Sequence, residues 1–472
     1  MAQLTEAQAV RRAVDRLGFG EQASTLSDLQ GQGWKAVAAL LAPTGADAGV
    51  AATPAPTLKP EPKADKNADA EAKKARRLVR SSNRAAIDRW WLTRMLVTRQ
   101  PVSERLTWFW HGHFATSIGK VNSAQLMLQQ NQTFRRLGRG SFTDLAHALI
   151  IDPALLIWLD GQKNTAKSAN ENLSREFMEL FSLGHGNYSE GDVQQAARAL
   201  TGWTINRHEA GAAAGTVKAV FRPQRHDNFP KTVLGTTANL NASDFVDLVL
   251  KQPASAAFVA SRLWARLVSH TPPNAATLAA LVQAYGSDRR IDKLVAAMIS
   301  SDAFTDTSAS LVKEPVIWLV GLLRAARIDP KLLSQEPNGN KGHGNKGQGN
   351  TSRTGKKMGA GLGPAMQLIA ALKGMGQVPF LPPTVGGWPT GQGWLSTATM
   401  ATRLTVARAV ATASPLTKEL TGSASARVTA VGTALGVDGW SQRSRDALTL
   451  AADQPVQLLS LAACSPEYIV SR

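Results

Sequence analysis

Apolar residues recur at the period of an α-helix along most of the chain. Clear helical segments cover residues 85–99, 243–251, 256–269, 274–285, 290–300 and 315–326. The alternating pattern of a strand is scarce, with one weak candidate at residues 216–221. The pattern predicts a mainly α protein: a large, multi-helix single domain with irregular loops and at most a minor β-hairpin.

Two segments interrupt this helical pattern. Residues 43–77 run through Ala and Pro into mixed charge, a composition that buries little, so we expect a flexible loop or frayed helix. Residues 337–357 are a Gly/Asn/Lys low-complexity loop, expected to be a disordered insertion or, alternatively, a tether for a polyanion. The breaks separate an N-terminal helical lead (1–42), a central helical body (78–336) that carries the candidate site, and a C-terminal helical part (358–472) on the same core.

The net charge of +18 favours an acidic partner such as an anionic or carbohydrate polymer. The alternative is compositional, because the chain is rich in Ala, Gly and Arg and many basic residues lie in the two interrupting segments. Twelve Trp residues against three Tyr residues add surfaces that stack on sugars as well as core volume. No nucleic-acid-reading motif accompanies the charge, so nucleic acid is not the expected partner.

Apolar runs such as residues 316–323 are shorter than the roughly 20 residues that cross a bilayer, so no transmembrane segment is expected. The N-terminus lacks the apolar core of an export signal, which makes the cytoplasm the default location. Cys464 is the single cysteine, so the chain forms no intramolecular disulfide and no thiolate metal cluster.

Acids, amides and an arginine are concentrated between Asn170 and Trp203, on what the pattern predicts to be two helices joined by a glycine turn. Glu176 and Glu179 are three residues apart and would neighbour each other on one helical face. If burial or like charge raises one pKa, they can act as general acid and base. Neighbours on one helix are closer than the roughly 6.5–9.5 Å of an inverting glycosidase, so a distant carboxylate is also needed.

The candidates for that distant carboxylate are Asp160 and Asp227. The alternative is a buried structural network, formed by Arg175, Glu176, Glu179 and Arg198, without catalysis. Substrate-binding and stacking roles fall on polar or aromatic side chains of the same motifs, namely Arg175, Asn172, His113, Trp110, Trp203 and Trp388.

The motif WFWHGHFATS (108–117) places two histidines two residues apart. His111 and His113 can begin a metal site, which needs at least a third ligand from His226 or the nearby acids. A divalent metal is therefore a candidate cofactor. The alternative is that one histidine caps a helix while the aromatic residues pack inside the core.

At these residues the chain resembles a large bacterial family known only as domain of unknown function 1800. The matching motifs, which span about nine-tenths of the chain, are RLGFG (16–20), WFWHGHFATS (108–117), LMLQQNQTFR (126–135), DPALLIWLD (152–160), the segment 170–203, His226-Asp227, MGQ (375–377), PP-V-GW (382–388) and Trp394. The resemblance implies a mainly helical protein and no established activity. It also implies a neighbouring gene for a sulfatase-like protein that carries a twin-arginine export signal. Co-export with that partner would give a periplasmic or secreted location, which is the alternative to the cytoplasm.

Three hypotheses follow. The leading one is a hydrolase that acts on a polymeric carbohydrate or another anionic polymer, with Glu176 and Glu179 as the acid/base pair. The second is a metal enzyme that uses the histidines and the same acids. The third is a non-catalytic binding partner of the sulfatase-like protein.

Overall fold

The structure is a computed structural model that describes residues 2–42, 47–62, 69–205, 217–334 and 364–471. Short polar side chains begin many of its helices, as Asn241 does by accepting hydrogen bonds from the backbone of Ser243 and Asp244. Helices dominate throughout the described ranges, which confirms the predicted mainly α fold.

The helices of the first half are α1 (Glu6–Leu17), α2 (Ala23–Gln32), α3 (Trp34–Leu41), α4 (Ala48–Ala51), α5 (Ala70–Val97), α6 (Pro101–His113), α7 (Ile118–Val121), α8 (Ala124–Leu137), α9 (Phe142–Ile150), α10 (Pro153–Trp158), α11 (Asn172–Glu176) and α12 (Glu190–Ala199). Those of the second half are α13 (Ala242–Lys251), α14 (Pro253–Leu267), α15 (Ala275–Tyr285), α16 (Ile291–Ile299), α17 (Asp302–Thr305), α18 (Pro315–Ala325), α19 (Lys331–Ser334), α20 (Pro364–Gly374), α21 (Thr397–Ala413), α22 (Ala424–Leu435), α23 (Gln442–Leu450), α24 (Pro455–Ala463) and α25 (Pro466–Ile469).

The described strands form three antiparallel pairs rather than one hairpin. They are β1 (Trp203–Ile205) with β2 (Ala219–Phe221), β3 (Lys231–Val233) with β4 (Thr236–Ala238), and β5 (Leu311–Val312) with β6 (Val470–Ser471). The β1–β2 pair contains the weak strand candidate. The β5–β6 pair ties the C-terminus of the described chain to the strand that precedes α18.

Two clusters of buried apolar side chains form the interior. The first core joins α5, α18 and the C-terminal helices α20 to α24, around Trp91 and Trp318. The second core joins α1, α3, α9 and the helices α11 to α16, around Trp110 and Phe177. Helix α6 serves both, because Trp108 lies in the first core and Trp110 in the second. The N-terminal lead and the C-terminal part therefore pack onto the central body.

Part of the segment 43–77 is more structured than its composition suggested. The carboxylate of Asp47 caps α4 and accepts hydrogen bonds from Thr98, Arg99 and Gln100 at 2.6–3.0 Å. Leu58 is buried in the first core, and α5 already begins at Ala70. The described residues of this segment thus contain one short helix and the first turns of α5, and the buried carboxylate of Asp47 anchors its start. The low-complexity loop 337–357 lies outside the described residues.

Within the described ranges, no helix combines the length and the apolar character needed to cross a membrane.

Candidate functional site

The predicted acid-bearing helix exists and has an unusual backbone. Helix α11 continues into a π-helical segment, Phe177–Ser182, and residues 172–182 together are called the acid helix below. The N–H of Leu183 donates to the carbonyl of Met178, five residues earlier, at 2.7 Å. Gly184 then ends the helix with a φ of 80°, as its position predicts. Segments of π-helix are rare in proteins, and those that occur are frequently found at functional sites.

Glu176 and Glu179 are half-buried on this helix and interact with each other. Burial, together with the charge of Glu179, raises the pKa of Glu176 above its ordinary value. The Tyr188 hydroxyl donates to Oε2 of Glu179 at 2.5 Å, and Nδ1 of the exposed His185 lies 3.8 Å from Oε1. Burial and this hydrogen bond raise the pKa of Tyr188, so the phenol stays a neutral donor. The pair thus combines a carboxyl group of raised pKa with a neighbour that is oriented by a hydrogen bond.

The charge of Arg175 opposes the raised pKa of Glu176, but its guanidinium hydrogen-bonds to other acids. Its guanidinium forms a two-pronged ion pair with Glu190 at 2.6 and 2.7 Å and a weaker one with Glu171 at 3.2 Å. The hydrogen bonds of Arg175 therefore go to Glu190 and Glu171 rather than to Glu176 and Glu179, with which the alternative of a structural network had grouped it. Asn172 supports the start of the helix, where its backbone N–H donates to Oδ1 of Asn170 at 3.0 Å.

The proposed distant carboxylates are engaged by cations. Asp160 lies between Lys120 and Lys163, with N–O distances of 2.6 and 2.9 Å, and these contacts lower its pKa although partial burial opposes them. Asp227 accepts two hydrogen bonds from Arg198 at 2.7 and 3.1 Å, which lower its pKa. Carboxylates held in this way are strongly ionised and poor proton donors.

Trp203 and His226 lie together beside the β1–β2 pair. The ring of Phe221 lies 5.4 Å from that of Trp203 and 5.3 Å from that of His226, measured between centroids. Nδ1 of His226 contacts the backbone carbonyl of Thr201 at 3.0 Å. Trp203 keeps a partly exposed face, whereas His226 is largely buried.

His111 and His113 both lie on α6, and both are buried. Nε2 of His111 accepts a hydrogen bond from the N–H of Phe380 at 3.0 Å, while Nε2 of His113 contacts the carbonyl of Phe181 at 2.9 Å. Burial lowers the pKa of each to about 3, so both are neutral at neutral pH. His113 therefore contacts a backbone carbonyl at the C-terminal end of the acid helix, which agrees with the alternative that one histidine caps a helix.

The candidate metal ligands are not brought together. His111 faces Phe380, His113 faces Phe181, and His226 faces Thr201. Among the described residues, no group of three or more His, Cys, Asp or Glu side chains has an arrangement that holds a metal ion. The structure therefore does not bring the predicted histidine ligand set together, because these side chains contact backbone groups on separate elements.

The three tryptophans predicted to stack on a substrate differ in exposure. Trp110 is fully buried and donates from Nε1 to the carbonyl of Gly138 at 2.8 Å, so it has no face for a ligand. Trp388 is also buried, and its ring stacks on Trp108 with a centroid distance of 4.9 Å. Among the three, Trp203 alone retains an accessible face.

The loop that carries Trp388 depends on a close backbone approach to α6. Gly387 has a φ of 85°, and a Cβ there would collide with the carbonyl of Gly112, between the two histidines. Arg266 of α14 holds the same loop by donating to the carbonyl of Trp388 at 3.1 Å. The second tryptophan motif therefore packs against the histidine motif.

Tyr188 and His185 were missing from the sequence-based site. They follow the acid helix after a turn with glycines at 184 and 186, both with positive φ, which returns the chain towards Glu179. A glycine pair followed by polar aromatic residues was the available signal, but sequence spacing alone does not show which acid such a turn approaches.

Comparison with known proteins adds a family and no activity. The family model described as Protein of unknown function (DUF1800) matches residues 12–470, nearly the whole chain. The chain has no match among curated proteins and none among solved structures. The match spans both cores, the acid helix and the histidine motif, so the chain belongs to the DUF1800 family.

Proposed function

We propose that the protein is a hydrolase that acts on an anionic or carbohydrate polymer, with Glu176 and Glu179 as its acid/base pair. One observation carries the proposal: Glu176 is half-buried beside a second carboxylate and has a raised pKa, although the charge of Arg175, which pairs with Glu190 and Glu171, opposes the shift. A structural carboxylate is commonly compensated by a cation, whereas a catalytic acid needs its proton near the operating pH.

The two glutamates take different roles. Glu176, with the raised pKa, gives its proton to the oxygen that leaves as the bond breaks. Glu179, oriented by the hydroxyl of Tyr188, takes the proton of the water molecule that attacks. One water molecule is consumed, and proton transfer back through solvent restores both carboxyl groups. Asp160 and Asp227 are held ionised by cations, so neither donates a proton. Glu176 and Glu179 are too close on one helix for an inverting glycosidase, so a glycosidic substrate also needs a distant base, and an ionised Asp160 or Asp227 can act only in that role.

Binding of the polymer draws on charge and on aromatic surface. The net charge of +18 attracts polyanions over long range at low salt. The partly exposed Trp203, backed by Phe221, offers a stacking face of the kind that binds sugar rings. These features support the substrate class and do not select one polymer.

The test measures new chain ends released from a panel of uronic-acid polysaccharides, neutral glucans and polyphosphate-backbone polymers. Glu176→Gln and Glu179→Gln are each expected to slow cleavage at least about 100-fold, as loss of a general acid or base does. Asp453→Asn is the matched control, because Asp453 is an exposed acid that pairs with Arg427 of α22 and lies outside the acid helix. Unchanged rates in both variants, or no cleavage of any polymer, would overturn the proposal.

The second candidate is a non-catalytic binding partner of a sulfatase-like exported protein. It is favoured by three exposed apolar side chains on and after β2: Val220, Phe221 and Phe229, the last 74% exposed. Co-purification that survives Glu176→Gln but is lost in Phe229→Asp would support this candidate over the hydrolase.

A further inference from the structure

A solvent-facing cleft lies between α5, α8 and the segment that follows α4. Its walls come from these three elements and consist of Ala55, Trp90, Arg94, Gln132, Arg135 and Arg136. The space open to the centre of a water molecule is about 260 Å³, whereas one water molecule needs roughly 10–15 Å³ by this measure. The cleft therefore has room for a group of several atoms, and three of its described lining residues are arginines, while none is an acid.

The carboxylate that two of these arginines share lies behind the cleft and is already saturated. Oε1 of the buried Glu104 accepts hydrogen bonds from Nε of Arg94 at 2.6 Å and from Nε of Arg135 at 2.5 Å. Its Oε2 accepts from Nη2 of Arg135 at 2.9 Å and from Nε1 of Trp91 at 3.2 Å. These contacts use all the acceptor positions of a carboxylate. Glu104 therefore has none left for the other N–H groups of the two arginines.

Those remaining N–H groups are available to a ligand. Within the described ranges, the two Nη atoms of Arg94 and Nη1 of Arg135 have no hydrogen-bond partner, and none of the three is sealed from solvent. Arg136 is exposed and forms no ion pair with a described acid. Three arginines beside one shared carboxylate leave an excess of two positive charges at the cleft.

The indole ring of Trp90 holds two of the cations side by side. Cζ of Arg94 lies 5.6 Å and Cζ of Arg135 lies 5.3 Å from the centroid of this ring. Nε1 of Trp90 donates to the carbonyl of Thr53 at 3.1 Å, which fixes the ring against the segment after α4. Burial and the neighbouring charge of Arg135 lower the pKa of Arg94, and the charge of Glu104 opposes this shift. Cations held this close repel each other, and a bound anion would relieve the repulsion.

We propose that this cleft binds the dianion of a phosphate monoester. The free Nη groups of Arg94 and Arg135 donate to its oxygens, Arg136 supplies the third positive charge, and the esterified group extends into solvent. A guanidinium donates two parallel hydrogen bonds to phosphate oxygens, and a phosphate monoester carries close to two negative charges at neutral pH. The excess of two charges thus matches a phosphate monoester better than a carboxylate or a sulfate ester, each of which carries a single charge.

The proposed phosphate site is independent of the proposed hydrolase, because none of its lining residues belongs to the acid helix. The experiment is calorimetric titration of the full chain with methyl phosphate, the smallest phosphate monoester, at constant ionic strength and about pH 8, where it is a dianion. Methyl sulfate is the matched ligand of the same shape with one negative charge fewer. Inorganic phosphate tests whether the free ion also binds, and chloride reports non-specific anion effects.

We expect saturable one-site binding of methyl phosphate and of inorganic phosphate, because both present the same oxygens to the arginines. Methyl sulfate should bind at least about tenfold more weakly, since a charge-assisted contact is weakened, and chloride should give no saturable heat. The proposal would be overturned by the absence of methyl phosphate binding, by equal binding of methyl sulfate, or by binding of inorganic phosphate alone.

Two variants locate the site. Arg136→Gln removes an exposed cation without an ion pair among the described residues, so the fold should be kept while methyl phosphate binds about tenfold or more weakly. Arg94→Lys keeps a charge beside Glu104 but removes both Nη donors, with an expected loss of about threefold to tenfold. The control is Arg408→Gln, an exposed arginine at a different cleft beside α24.

Equal affinity for methyl phosphate in Arg136→Gln and Arg408→Gln would contradict the assignment. Glu176→Gln should bind methyl phosphate as the wild type does, so that failure of the hydrolase proposal and failure of the phosphate site are distinguishable.

Discussion

The acid helix and α6 carry the two motifs richest in candidate chemistry, and their polar groups have different surroundings. On α6, His111 and His113 are buried among aromatic rings, and each faces one backbone group. On the acid helix, Glu176 and Glu179 are half-buried, and the charge of one raises the pKa of the other. Polar residues of a motif can thus be enclosed in the core with backbone partners, or lie half-buried beside a like charge that shifts a pKa.

The two helices are nevertheless coupled through one contact. His113 faces the carbonyl of Phe181 near the end of the π-helical segment, where backbone carbonyls lack helical partners. We therefore assign α6 the role of a framework that supports the acid helix, and the acid helix the role of the reactive surface. The following predictions test this division, beginning with the largest expected effect.

The largest effect is expected from His111→Ala. The substitution leaves a cavity among aromatic rings and an unpaired N–H on Phe380, so the free energy of unfolding should fall by about 3 kcal/mol or more. Glu176→Gln is the matched variant on the acid helix and should change it by less than about 0.5 kcal/mol. Chemical denaturation measures both. Similar losses in the two variants would remove the distinction between framework and reactive surface.

The effect of His111→Ala should also depend on pH. The pKa of His111 is about 3 in the folded protein and about 6.5 in an unfolded chain. The unfolded state therefore binds an extra proton between these values, and the wild type loses the contribution of His111 as the pH falls below about 6.5. The destabilisation caused by His111→Ala should shrink by about 1.4 kcal/mol per pH unit. The measurement compares the two proteins at about pH 7, above this window, and at about pH 5, within it. If the difference in the free energy of unfolding between wild type and His111→Ala were the same at both pH values, the histidine would be exposed rather than buried.

Asp227→Asn tests whether a candidate catalytic acid belongs to the framework instead. The substitution weakens the two hydrogen bonds from Arg198 and should lower the free energy of unfolding by about 1–2 kcal/mol. Asp453→Asn is the control, since Asp453 is 95% exposed in its pair with Arg427 and should have no measurable effect. If Asp227→Asn abolished polymer cleavage without loss of stability, Asp227 would belong to the reactive surface.

The helices were largely predictable because their periodicity and caps are local. The expected segments 274–285 and 315–326 correspond to α15 and α18 within one residue at each end. Residues 70–77 were missed because α5 begins there in a sequence rich in charged residues, whereas its buried residues begin only at Asn83. A local sequence pattern does not show that packing of the second half of a helix stabilises a charged first half.

The candidate site was only partly predictable, because burial and partner choice are tertiary properties. The proximity of Glu176 and Glu179 followed from helical spacing. The backbone partners of His111 and His113 could not be predicted in this way, because Phe380 and Phe181 lie far from the histidines in sequence.

The most direct test of the central claim is the pKa of the Glu176 carboxyl group, measured by NMR titration of selectively labelled protein. The claim predicts a pKa above that of an ordinary glutamate, falling towards the ordinary value in Glu179→Gln, because the neighbouring charge is removed. Tyr188→Phe is the control that leaves both carboxyl groups in place. An ordinary pKa for Glu176 that Glu179→Gln leaves unchanged would contradict the claim that this pair forms the reactive surface.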